Sequence, residues 1–239
     1  MVWLLIVFLL NPYLLGLGAC STNSQKSNPA DLIRLREKMI REQLEARDIK
    51  DPRVLASMAK VPRHEFVPGD LIESAYDDCA LPLRMGQTIS QPYIVGYMTQ
   101  ALELKGTERV LEVGTGSGYQ AAVLAEIVPE VYTIEILAEL GEQAASTLER
   151  LGYRNIHFRI GDGYAGWLEH APYDRIIVTA APEKVPQPLI DQLKIGGRMI
   201  IPIGKTDQEL AVLDKDNNGV TRRSTIPVRF VPMTGKAQE

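Results

Sequence analysis

The chain has 239 residues, 45% of them hydrophobic and 23% charged, with a formal net charge of −4. This length holds an α/β domain with a full core, and the slightly acidic balance argues against the basic face of an electrostatic nucleic-acid binder. Two cysteines, Cys20 and Cys79, are too few for a disulfide framework, and no Cys/His cluster has zinc spacing, so no metal is expected.

In chain order, residues 1–19 are almost wholly apolar and run into Leu17-Gly18-Ala19-Cys20-Ser21, followed by a polar, turn-rich linker over 22–29. The segment reads as a signal-like leader with a lipoprotein-type cleavage site, or as a mis-called start. Residues 1–29 are therefore set apart from a domain expected over 30–239. Apolar residues at Leu32, Leu35, Met39, Ile40 and Leu44 predict an amphipathic helix over 31–46. Asp51-Pro52 predicts the capped start of a second helix. Residues 61–68 form a proline-bounded loop or edge segment, 71–76 a short helix, 87–92 a polar loop and 93–104 a helix.

From residue 108 the alternation is regular. Strands are expected over 109–113, 131–134, 156–160, 173–179 and 198–203, with helices over 117–127, 137–151 and 187–193. Gly196-Gly197 reads as the end of the last helix. Two further strands, 209–214 and 225–231, are joined across Asp216-Asn217-Asn218-Gly219. The pattern predicts an α/β fold, a doubly wound and mostly parallel Rossmann-like sheet with N-terminal helices and an antiparallel C-terminal edge.

Between Val110 and Tyr119 an apolar strand ends in Glu112-Val113 and breaks into Gly114, Gly116 and Gly118. A dinucleotide fingerprint needs its third glycine at the position of Tyr119. The spacing found instead, behind an acid, resembles the first motif of S-adenosylmethionine-dependent methyltransferases. Ligands of such sheets bind at the carboxyl ends of the strands, where three acids fall. Glu135, about twenty residues past the first glycine, suits both ribose hydroxyls. Asp162, with Gly163, follows the third strand and suits the adenine amino group. Glu112 sits beside the glycine turn and suits the cationic end. Carboxylates favour a sulfonium and repel a pyrophosphate.

Gly86-Gln87-Thr88-Ile89-Ser90-Gln91-Pro92-Tyr93 precedes this motif. Together they resemble the protein-L-isoaspartate O-methyltransferase family. Further matches are Val61-Pro62-Arg63, Phe66-Val67-Pro68, Gly161-Asp162-Gly163, Ala171-Pro172-Tyr173-Asp174 and Val228-Arg229-Phe230-Val231-Pro232-Met233-Thr234, so the resemblance spans about 32–235. It implies a repair enzyme that methylates the α-carboxylate of isoaspartyl residues in damaged proteins, with S-adenosyl-L-methionine as donor and no metal. The ester then closes to a succinimide that reopens partly to aspartate. The resemblance also implies Ser90 as the active-site residue, with Thr88 supporting it. Ile89, Val231, Pro232 and Thr234 then lie on the substrate side.

One departure is Arg84, which stands where the family usually has a glycine, in a position that would have suited a positive φ. The alternative functions are a methyltransferase for a small-molecule carboxylate and an envelope-anchored binding module without catalysis. A monomer acting on damaged proteins, without nucleic acid, is expected. The cofactor's cytosolic origin favours the cytoplasm over export through Cys20.

Overall fold

The structure is a computed structural model that describes residues 28–238; the expected leader and Cys20 lie outside them. Helix α1 (Pro29–Met39) opens on Asn28, whose side chain accepts from the Asp31 N–H, and runs into a π-helical turn over Ile40–Glu45. Helix α2 (Pro52–Lys60) has the expected cap: the Asp51 carboxylate accepts from the Arg53 N–H at 2.9 Å. Single 3-10 turns over Arg63–Phe66 and Gly69–Ser74 fill the proline-bounded stretch.

Strands β1 (Leu81–Pro82) and β2 (Thr88–Ile89) then pair antiparallel, Leu81 opposite Ile89. The segment expected as a polar loop thus contains the second strand of a short hairpin, with Ser90 and Gln91 left as loop. Its anchor is Ile89, only 4% exposed, which drives one residue of a polar string into the core. Helix α3 (Pro92–Ala101) follows.

The alternating half contains β3 (Arg109–Val113), α4 (Tyr119–Ala125), β4 (Glu130–Glu135), α5 (Ala138–Arg150), β5 (Ile156–Ile160) and β6 (Tyr173–Val178). It continues through α6 (Gln187–Gln192), β7 (Leu193–Ile203), β8 (Gln208–Asp216) and β9 (Gly219–Val228). All seven strands form one sheet in the order β5-β4-β3-β6-β7-β8-β9. Strands β5 to β7 are parallel, and β8 and β9 add the antiparallel edge. The winding reverses between β3 and β6. That junction is the topological switch point, where chains leaving the two strands part to opposite faces and open a crevice.

Because side chains alternate along a strand, the central strands bury both faces. Val110 and Ile177 join one core with Met58, Leu102 and Leu124 of the N-terminal and α4 side. Leu111, Ile176 and Met199 join the other, closed by Leu189 of α6 and Met233 of the tail.

Two elements of the C-terminal half depart furthest from expectation. Gly196-Gly197 do not end α6. They form a bulge inside β7, where the pairing jumps from Tyr173–Leu193 to Arg175–Arg198 and Gly196 takes φ +79°. Strand β9 begins at Gly219, directly after a two-residue turn, and ends at Val228. Its first half is polar because it is the exposed edge, so no apolar alternation marks it.

Leu111 is fully buried at the centre of this arrangement. Leu111→Ala is expected to lower the unfolding free energy by about 2–5 kcal/mol, read from denaturant midpoints. A loss under about 1 kcal/mol would show that the site collapses around the cavity.

Candidate active site

The crevice is built from the turn after β3. Gly114 takes φ +96°, and the N–H groups of Gly114 and Thr115 donate to the Ile134 carbonyl at 2.9 and 3.2 Å. A Cβ on Gly114 would come within 2.4 Å of Thr179 Oγ1. The Thr179 hydroxyl lies 2.6 Å from the Gly114 carbonyl oxygen and 3.0 Å from that of Val113, so it binds the turn to the end of β6. Gly116 takes φ +55°, and a Cβ there would meet nothing within 4 Å, because it faces the open cleft. Its N–H donates to Glu135 Oε2 at 2.8 Å, and the Leu137 N–H donates to Oε1 at 3.0 Å. Each carboxylate oxygen still has a lone pair for a ligand hydroxyl.

The remaining walls arrive from distant segments. The tail is stitched to the chain after β6: the Ala181 N–H donates to the Val231 carbonyl, and the Met233 N–H to the Ala181 carbonyl, both at 2.8 Å. Hairpin β1–β2 brings Thr88, Ile89 and Ser90 to the opposite rim. The structure therefore gathers these three with Gly114, Gly116 and Glu135 around one cleft, together with Gly163, Val231, Pro232 and Thr234. Thr88, Ser90, Thr179 and Val231 also line an adjoining groove that continues past Ile94 and Phe230. The two spaces meet at these four residues.

Three of the expected residues stand off this wall. Gly118, at φ +89°, packs against α5, where a Cβ would meet Leu148 at 3.3 Å. Asp162 turns its carboxylate to the backbone: Oδ1 accepts from the Tyr164 N–H and Oδ2 from the Lys236 N–H, each at 2.9 Å. It fastens the tail and does not face the cleft. Glu112 points into the sheet interior on the same face as Val110, fully buried, with Oε2 accepting from the Thr133 hydroxyl and Oε1 unpartnered.

Burial pushes the Glu112 carboxyl up to about 8. The Thr133 hydrogen bond opposes the rise and the neighbouring Glu135 adds to it. The rise comes mainly from the loss of water, so this carboxyl keeps its proton at pH 7 in the cofactor-free protein, with one oxygen lacking a protein partner.

In the turn between β1 and β2, Arg84 is not in a left-handed conformation. That role falls to Met85 (φ +56°) and Gly86 (φ +69°), so the replaced glycine leaves the loop unstrained at position 84. Arg84 pairs with Glu139 at 3.4 Å on the exposed rim. Among the described residues, Cys79 is not a free thiol, and no His/Cys/Asp/Glu group could hold a metal. Thr179 and Arg63 carry weight that the sequence reading missed. A threonine ending a central strand at the switch point was the available signal for the first; an arginine in an apolar, proline-bounded string was the signal for the second.

No lysine or arginine lines the cleft, and a carboxylate stands at the end of the second parallel strand. A pyrophosphate has nothing to neutralise it there, whereas a sulfonium nucleotide does. Fold and site together define an S-adenosylmethionine-dependent methyltransferase. The model of the family described as Protein-L-isoaspartate(D-aspartate) O-methyltransferase matches residues 34–238, and the chain belongs to that family.

A protein-L-isoaspartate O-methyltransferase of Picosynechococcus is 53% identical over 214 residues, covering 90% of this chain and 96% of its own. One from Opitutus terrae is 58% identical over 201 residues, covering 83% and 86%. A solved protein-L-isoaspartate O-methyltransferase superposes with TM-score 0.77 at 31% identity, over 84% of this chain and 67% of that one. A Plasmodium falciparum structure in complex with S-adenosyl-L-homocysteine shares the fold, with TM-score 0.73 at 24% identity over 83% and 98%.

The Glu112 carboxyl generates a pH prediction. Folded, it holds its proton up to about 8; unfolded, it loses it near 4.5. The folded state therefore binds the extra proton between those values, and stability from this group falls as pH rises through the window. For the cofactor-free protein, the Tm of Glu112→Gln minus that of the parent is expected to rise steadily from pH 5 to pH 8. A difference independent of pH would show an ordinary carboxyl.

Proposed function

We propose that this chain repairs damaged proteins by transferring the methyl group of S-adenosyl-L-methionine to the free α-carboxylate of L-isoaspartyl residues. The observation that carries this reading is the shared wall: Thr88 and Ser90 line both the nucleotide cleft and the open groove. Donor and protein substrate meet where those two spaces join.

The donor supplies an electrophilic methyl group on a positively charged sulfur. The nucleophile is a carboxylate, already ionised at neutral pH, so no side chain has to remove a proton. What the chain contributes is placement and exclusion of water. Glu135 accepts the ribose hydroxyls with its spare lone pairs, and Gly116 leaves room for the ligand to lie against the turn. Gly163 lets the chain after β5 pack directly on Val113 at the cleft wall, since a Cβ there would come within 2.4 Å of Val113 Cγ1. Glu112 acts from behind the wall, buried beneath the turn, and Asp162 acts through the tail it fastens. Ser90 orients the substrate carboxylate, Thr88 supports it, and Ile89 anchors their hairpin. Val231, Pro232 and Thr234 close the substrate side.

The chain acts as a monomer in this reading, because one chain supplies every wall, and needs no nucleic acid. No helix among the described residues is long and apolar enough to cross a membrane. The cytosolic supply of the donor favours a cytoplasmic enzyme over the lipoprotein alternative at Cys20.

The test is methyl transfer to two peptides that differ only in one isoaspartyl versus aspartyl residue. Base-labile label is expected on the isoaspartyl peptide alone, and Ser90→Ala is expected to lower kcat/KM by about 10- to 100-fold. Label on small carboxylates but on neither peptide would overturn the reading.

A further inference from the structure

Arg63 lies in the first 3-10 turn, far from the glycine motif in sequence, yet it reaches the carbonyl of Ser90. Its side chain is 0% exposed. No Asp or Glu among the described residues pairs with it, and its immediate charged or polarisable neighbours are Tyr119 and Tyr76. Burial lowers its proton affinity only to about 10, so it remains a cation at neutral pH. A buried cation without a counter-charge is costly, and an apolar side chain of similar length would fill the same space without that cost.

The compensation is specific. Nε donates to the Ala75 carbonyl at 2.7 Å, one terminal nitrogen donates to the Ser90 carbonyl at 2.8 Å, and the guanidinium lies 4.9 Å from the centre of the Tyr119 ring. The other terminal nitrogen has no partner. The planar fork thus spans two carbonyls from separate segments, a geometry that a lysine ammonium does not reproduce. One of those carbonyls belongs to the residue at the junction of cleft and groove.

We propose that Arg63 is a positioning residue for methyl transfer: it clamps the Ser90 carbonyl inside the protein and so sets how Ser90 meets the substrate carboxylate. The consequence follows from the peptide plane. With its oxygen held inward, the trans Ser90–Gln91 peptide directs the Gln91 N–H the opposite way. The anionic substrate then does not face the negative end of that carbonyl, and the Ser90 side chain is held in one direction. The inference rests on the reading that Ser90 stands at the transfer point.

The test uses the full chain carrying Arg63→Lys, which keeps the charge and removes the fork. Two readouts are taken. With the isoaspartyl peptide saturating, kcat is expected to fall about tenfold or more while the KM for S-adenosylmethionine stays within about threefold. Hydrogen exchange is expected to accelerate in the segment around 88–91 and to stay unchanged in β3. Unchanged exchange at 88–91 overturns the clamp. Faster exchange there with unchanged kcat overturns the link to transfer and places the fault in the role given to Ser90. Faster exchange in both segments makes Arg63 a core residue only and also overturns the proposal. Should Arg63→Lys not fold, Arg63→Gln is read in the same two ways.

Discussion

The turn after β3 is the constraint on which the rest depends. It must leave a buried strand, reverse direction at the switch point, and keep one face free for a ligand. Left-handed backbone at Gly114, Gly116 and Gly118 makes that path available. Hydrogen bonds from neighbouring strands then hold it: Thr179 binds the Gly114 carbonyl from the end of β6, and Glu135 binds the Gly116 N–H from the end of β4. A cleft at the carboxyl edge of a parallel sheet is common property of such folds. Here the same groups that hold the turn also furnish its wall, so the cleft is largely preformed.

The chemistry asks little more of the protein. An ionised carboxylate needs no base, and the electrophile arrives on the donor. Rate must come from bringing two bound molecules into line. The architecture answers by convergence: a two-residue strand brings Ser90, the glycine turn forms the floor, and a tail bound to Ala181 supplies Val231 and Pro232. Charge is arranged in the same sense. In the proposed reading Glu135 at the cleft wall favours the positive donor, while the Ser90 carbonyl, held by Arg63, is kept from facing the anionic acceptor.

What could be read beforehand follows from what leaves a local trace. Positive-φ turns select glycine, so the motif at 114–118 and the parallel half were legible, as was the Asp51-Pro52 cap. Burial phase was not. Glu112 and Glu135 both lie near strand ends, yet the pleat turns Glu112 inward beside Val110 and leaves Glu135 on the wall. Gly196-Gly197 announced an unusual backbone without saying whether it was a cap or a bulge. The polar start of β9 hid a strand, because an edge facing water carries no apolar alternation. Arg63, Asp162 and Thr179 act through contacts with residues 27, 74 and 65–66 positions away, and neither spacing nor propensity reports such contacts.

The central claim is that the open face of the glycine turn receives the nucleotide, and calorimetry of S-adenosylhomocysteine binding to Gly116→Asn tests it most directly. Asparagine tolerates the left-handed backbone, and a Cβ at this position meets no protein atom within 4 Å. The variant is predicted to keep its Tm within a few degrees of the parent and to bind about 100-fold more weakly or not at all, because its side chain occupies the ligand's place. Binding within about threefold of the parent, in a folded variant, would contradict the account and place the nucleotide elsewhere.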